Sequence, residues 1–304
     1  MSHAEDRRPA DTAGLYRPEE IFWRVNREAV LLLTGARALL LQTAHPLVAA
    51  GVADHSRFRQ DPFGRLRRTL EAMLSMIYGT RAEAEAAAAG VNAAHARVRG
   101  TLRRATRAFP MGTPYSADDP DLSRWVHASL VDSAIVGFET FVRALEPDER
   151  DALIRESGRI GVLLRIPRSH AFADAAEFDA YMGEMTAGGV LEIGDDASAI
   201  AASVMHPLRL APRFLGYSAC FASVALLPPD LRVAYALRWG PRHQRAWRAL
   251  RATVRATRPR LPAALRLMPP ARRAEAALRR GDRPADASCK AEEDAAWARP
   301  SDWS

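Results

Sequence analysis

The stretch Ala44–Thr80, AHPLVAAGVADHSRFRQDPFGRLRRTLEAMLSMIYGT, decides how this chain is read. It holds two turn signals, His45-Pro46 and Asp61-Pro62-Phe63-Gly64, together with a second histidine, His55, and an Arg65-x-x-Arg68-Thr69 face. The ring of Pro46 disfavours α conformation at His45, so the apolar run that begins at Ala29 must turn there. DPFG predicts a break before a helix starting at Arg65. On that helix Arg65, Arg68 and Thr69 stand at i, i+3 and i+4, and Met73 and Met76 continue the face.

Working outward, the apolar spacing predicts helices at about 18–28, 29–53, 65–79, 81–106, 121–145 and 147–163. MGTPYSADDPD at 111–121 is a second break, and its aspartates can cap the helix near Leu122. RIPRSHAF reads as a loop, Glu177–Ala187 as a helix closed by Gly188-Gly189, and VLEIG as a short extended piece. Further helices are predicted from Asp196 and from PPDLRVAYALRW, with a buried apolar stretch between them at 214–227. With 48% hydrophobic residues in 304, and Ala, Leu and Arg prominent, the chain can bury a large core and favours helix. The expectation is an all-α protein with a single large helical domain at 17–268. Residues 1–16 read as a loose N-terminus. The segment 269–304 reads as a charged, Ala-rich tail that is disordered beyond about Asp282.

Lys290 is the only lysine, so the net charge of +7 is an arginine charge. It is local: Arg242, Arg245, Arg248, Arg251, Arg255, Arg258, Arg260 and Arg266 fall in a stretch without Asp or Glu. There Trp247, Leu250 and Val254 share one side of a helix, giving a solvated arginine face over a core-facing stripe; the alternative is contact with an anionic membrane or nucleic acid. No reading helix or aromatic platform for nucleic acid is recognisable, and none is expected as a partner. Cys220 and Cys289 lie in neither C-x-x-C nor C-x-x-C-H, which disfavours a disulfide scaffold, a cysteine zinc site and covalent c-type haem. The N-terminus shows no apolar h-region, so the expected location is cytoplasmic. The run Ala29–Ala53 is broken by Arg37, Gln42, His45 and Pro46, so no transmembrane span is expected.

Several residues could carry chemistry. His95, in VNAAHARVRG, shares a helix face with Val91, Val98 and Leu102. It is either a core imidazole bonded to a carbonyl or an axial iron ligand held by a neighbouring acceptor. Arg65 and Arg68 either snorkel along apolar surface or pair a bound anion. His127 shares a face with Leu130, Val131 and Ala134, as a rival ligand or a proton carrier, and His45 sits at the helix break in a structural or pocket role. His55 belongs to a solvated turn.

His45-Pro46, DPFGRLRRT and WVHASLVDS, in that order and spacing, resemble the catalytic domain shared by the MpaB oxygenase and latex clearing protein, the rubber oxygenase. The resemblance covers about residues 25–265. It implies an α-helical, globin-like haem core binding haem b non-covalently, with His95 as the iron ligand. It also implies a pocket formed by Arg65, Arg68, Thr69, His127 and His45, and Arg65 as a partner for the cofactor. The implied activity is a haem-dependent oxygenase that inserts dioxygen into an apolar, unsaturated or prenyl-like substrate, with cleavage of a carbon–carbon double bond as one outcome. Two departures bear on the substrate. No acid occurs between His45 and Ala53, with alanine at position 49 where rubber-cleaving relatives use a glutamate base, and Arg68 stands where they place a lysine. Polyisoprene is therefore disfavoured. No E-x-x-H, P-loop, G-x-S-x-G or H-E-x-x-H is present, which leaves a non-catalytic helical binding protein as the competing class.

Overall fold

The apolar run from Ala29 folds as three pieces. A 3-10 turn at Ala29–Thr34 leads into helix α2 (Gly35–Ala44), and α3 (Pro46–His55) departs after a bend of 107°. His45 sits at the corner in extended conformation, φ −79° and ψ 120°, as its proline neighbour requires. The computed structural model describes residues 13–55, 62–205 and 213–281, without the side chains at 62, 63, 65, 66 and 213–215. Ahead of the corner, α1 (Ile21–Asn26) buries Phe22, Trp23 and Val25.

Helix α4 (Pro62–Tyr78) begins at Pro62, so three of the four DPFG residues are the first turn of the helix rather than a break before it. Proline suits that position because its missing N–H would have no partner there. Helix α5 (Arg81–His95) is opened by a Thr80–Glu83 capping box and packs along α4 as a hairpin.

The helix expected to reach residue 106 instead ends at His95, and the chain turns into β1 (Arg99–Thr101), paired antiparallel with β2 (Pro114–Ser116). Gly100 faces Tyr115 across this two-stranded sheet, and the phenol ring occupies the space where a Cβ on residue 100 would stand. A residue without a side chain costs a helix about 1 kcal/mol but permits this close approach.

Asp119 then caps α6 (Pro120–Phe141) by accepting from the N–H groups of Asp121 and Leu122. Next come α7 (Pro147–Leu163), a 3-10 turn at Arg168–His170, and α8 (Ala175–Ala187), which stops at Gly188-Gly189 with Gly189 at φ +77°. VLEIG forms no strand; its Glu192 N–H bonds the Ala44 carbonyl at the end of α2. The chain continues through α9 (Asp195–Val204), α10 (Arg213–Leu226), α11 (Pro229–Ala234), α12 (Pro241–Thr257), α13 (Ala263–Arg266) and α14 (Pro269–Arg280).

Helices α2 and α6 cross at the centre, with Leu40, Leu41, Trp125 and Ile135 almost fully buried. The protein is mostly helical, as composition and periodicity predict. The segment after Pro269 departs from the expected loose tail, because α14 lays Ala271 and Ala274 into the core. Glu275 there accepts hydrogen bonds from Trp23 Nε1 and from Arg27. Small side chains let α14 approach α4 closely, which a count of charged residues does not register. The expectation of disorder beyond Asp282 falls outside the described residues.

On α12, Trp247 is buried against Phe141 while Arg242, Arg245, Arg248, Arg251 and Arg255 are exposed. No single helix among the described residues is long and apolar enough to cross a membrane.

Candidate functional site

The α4–α5 hairpin sets the first group of candidates. At 1.5 Å per residue, Arg68 lies about 15 Å from the turn along α4, and His95 about 20 Å along α5, so both stand toward the open end. Alternating burial along α5 places Ala84, Ala88, Asn92 and half-buried His95 on the inward face. Asn92 donates to the carbonyl of Leu163 at the end of α7, which holds this part of α5 against the body of the protein. The His95 carbonyl accepts from Val98 N–H, closing the turn into β1. Arg68 and Thr69 lie on the exposed side of α4, whereas Met73 is partly buried and Met76 is in the core. Arg65 belongs to the same helix, but its side chain is outside the described residues.

His45 occupies the corner between α2 and α3. The residue is 5% exposed, and its ring tilts against Phe109 with centroids 5.4 Å apart. Burial lowers its pKa to about 4, with the nearby Asp119 carboxylate opposing the shift. Its Nδ1 is buried with no hydrogen-bond partner among the described residues.

His127 faces α7. Its Nε2 lies 3.4 Å from Ser157 Oγ, and that hydroxyl spends its single proton on the Ile154 carbonyl at 2.7 Å. Ser157 can therefore only accept from His127, which assigns the ring proton to Nε2 and leaves Nδ1 as a bare acceptor. Nδ1 has no partner among the described residues, and burial lowers this pKa to about 4 as well. Beside the ring is a cavity of about 20 Å³ bounded by Arg124, His127, Ser157, Gly161, His170 and Phe172. Arg124 stacks over Phe172 and Tyr181 at 4.4 and 4.5 Å and pairs with Glu177.

One buried charge went unassigned in the sequence. Arg37, which interrupts the apolar run, is 4% exposed; it reaches Asp132 at 2.6 Å, Ser133 Oγ at 2.7 Å and the Leu226 carbonyl at 2.8 Å. These contacts tie α2 to α6 and α10. A charge inside an apolar run signals a partner, yet nothing local identifies Asp132 as that partner.

The structure thus brings Arg68, Thr69 and His95 onto one hairpin and places His45 and His127 in separate surroundings. None of His45, Arg68, Thr69 and His95 borders the His127 cavity. His55 bonds the Arg99 carbonyl at 2.8 Å and fastens α3 to β1.

The chain is largely helical, and its α4–α5 hairpin carries Arg68, Thr69 and His95. It belongs to the family described as ER-bound oxygenase mpaB/B'/rubber oxygenase, catalytic domain, whose model matches residues 23–256. Two relatives, uncharacterized proteins of Mycobacterium bovis and Mycobacterium tuberculosis, are each 26% identical over 230 residues, covering 74% of this chain and 87% of their own length. No solved structure matches significantly. The family makes this an enzyme with oxidoreductase character.

Proposed function

We propose that this oxygenase works with a non-covalent haem b whose iron is held by His95, and that it inserts dioxygen into a small apolar, unsaturated or prenyl-like molecule, with cleavage of a carbon–carbon double bond among its products. The donor set supports the group. Among the described residues no three His, Cys, Asp or Glu side chains could together hold a metal ion. The imidazoles stand singly, and haem asks the protein for a single axial imidazole because the macrocycle supplies the other nitrogens. His127 borders a cavity of about 20 Å³, whereas ligand pockets measure about 300–1,000 Å³. His45 is covered by Phe109. His95 is half-buried on the inward face at the end of α5, where neither Phe109 nor the wall of that small cavity covers it, and this position supports the assignment.

When bound, haem supplies the activation of dioxygen. The chain's own residues supply the rest. With the group bound, Arg68, and Arg65 on the same helix, would pair with its carboxylates, and the Thr69 hydroxyl would donate a hydrogen bond to the substrate. Burial keeps His45 and His127 neutral at physiological pH rather than fixed cations, and the proton on Nε2 leaves His127 Nδ1 as a hydrogen-bond acceptor. Because no carboxylate lies between His45 and Ala53, a compact terpenoid or unsaturated lipid fits better than polyisoprene.

The test is the absorption spectrum of the purified protein with a pyridine haemochrome assay. A stoichiometric b-type signal is expected. Failure of added haem to bind under both reducing and oxidising conditions removes haem from the reading.

A further inference from the structure

We infer that the outer face of α12, with the leucines at its C-terminal end, is a docking surface for an anionic lipid bilayer. From Leu231 to Ala274 the chain contains no Asp or Glu. Within this stretch α12 turns Trp247 inward, packs Leu250 and Val254 against the same cluster, and leaves Arg242, Arg245, Arg248, Arg251 and Arg255 exposed. None of these five arginines forms an ion pair within the described residues, whereas Arg258 at the helix end is committed to Glu28 at 2.5 Å. The helix is about 25 Å long, so the five charges make a continuous strip whose like-signed groups have no internal counter-charge.

Charge alone would suit any polyanion; the apolar neighbours select the partner. Leu261 and Leu265 follow the arginine strip in the chain, and α13, which carries Leu265, packs on the Ala29–Thr34 turn that carries Leu32. These three side chains are 39%, 65% and 48% exposed. Guanidinium groups bind lipid phosphates while exposed leucines enter the acyl boundary, and both gains grow with proximity to the same surface. Nucleic acid would make no use of the leucines, and a single strand would call for a stacking platform as well. The two tryptophans of this region are engaged internally, Trp247 against Phe141 and Trp239 against Phe221 and His243. The apolar stripe of α12 is packed inside, so the helix lies against the headgroups without inserting.

The experiment is vesicle co-sedimentation of the full chain, which is read without reference to haem or turnover. Binding is expected to vesicles containing phosphatidylglycerol and not to pure phosphatidylcholine, and it should weaken steeply with added salt. R248E/R255E should weaken binding at least about tenfold, and L261S/L265S by several-fold, with unchanged melting curves because all four side chains are exposed. Three results would each overturn the inference: no binding to the anionic vesicles, equal binding by R248E/R255E, or tighter binding to duplex DNA than to vesicles with no effect of L261S/L265S.

Discussion

Arg37 on α2 and Asp132 on α6 meet at 2.6 Å inside the helical core, with the guanidinium side chain 5% exposed. Removing one partner of such a pair leaves the other charge buried and unmatched, at a cost of about 3–5 kcal/mol. Asp132→Ala should therefore lower the urea midpoint severely. The double variant R37M/D132L, which removes both charges and keeps volume, should be clearly more stable than either single variant. Equal losses in single and double variants would mean that the pair is not coupled.

Acid sensitivity follows from the two buried imidazoles. His45 and His127 have folded-state pKa values near 4 against 6.5 for a free imidazole. Between these limits the unfolded chain holds more protons than the folded one, so stability falls as pH drops from about 6.5 to about 4. Each histidine contributes a slope of up to about 1.4 kcal/mol per pH unit in that window. Denaturation midpoints measured across it should fall more gently in His127→Gln than in the parent, relative to each protein's value at pH 7. A parallel dependence in the two would show that His127 is not the titrating group.

The histidines should separate by function. His95→Ala is expected to abolish haem retention, while His127→Ala keeps haem and changes turnover, since its ring adjoins a cavity too small for the cofactor. Absorption spectra of the two purified variants decide the matter. Haem lost from the His127 variant alone would exchange the two roles.

Arg68 and Thr69 occupy the same side of α4 one residue apart, toward the open end of the hairpin that carries His95. Arg68→Ala and Thr69→Ala should lower turnover by more than they lower haem occupancy, by roughly tenfold each if one charge-assisted or hydroxyl hydrogen bond is lost. Oxygen-18 gas should label the product carbonyls, and small alkenes should react faster than polyisoprene. Label arriving only from water, or faster polyisoprene cleavage, would contradict the proposed chemistry.

The sequence by itself determined the features that depend on neighbours along the chain. The corner at His45-Pro46, the Asp119 cap on α6, the Gly188-Gly189 stop and the inward stripe of α12 all follow from proline rings, side-chain caps, glycine and helical period. Each involves contacts within about one turn. Tertiary structure decided what depends on distant partners. Tyr115 crossing Gly100 converts the expected end of α5 into a strand, and Ala271 and Ala274 find space against the core where charge content predicted a loose tail. Arg37 finds Asp132 at a separation of 95 residues, and burial rather than residue type makes His45 and His127 neutral. Local propensity acts through a few backbone torsions, but desolvation and ion pairing depend on which surfaces meet, and that is settled only when the helices pack.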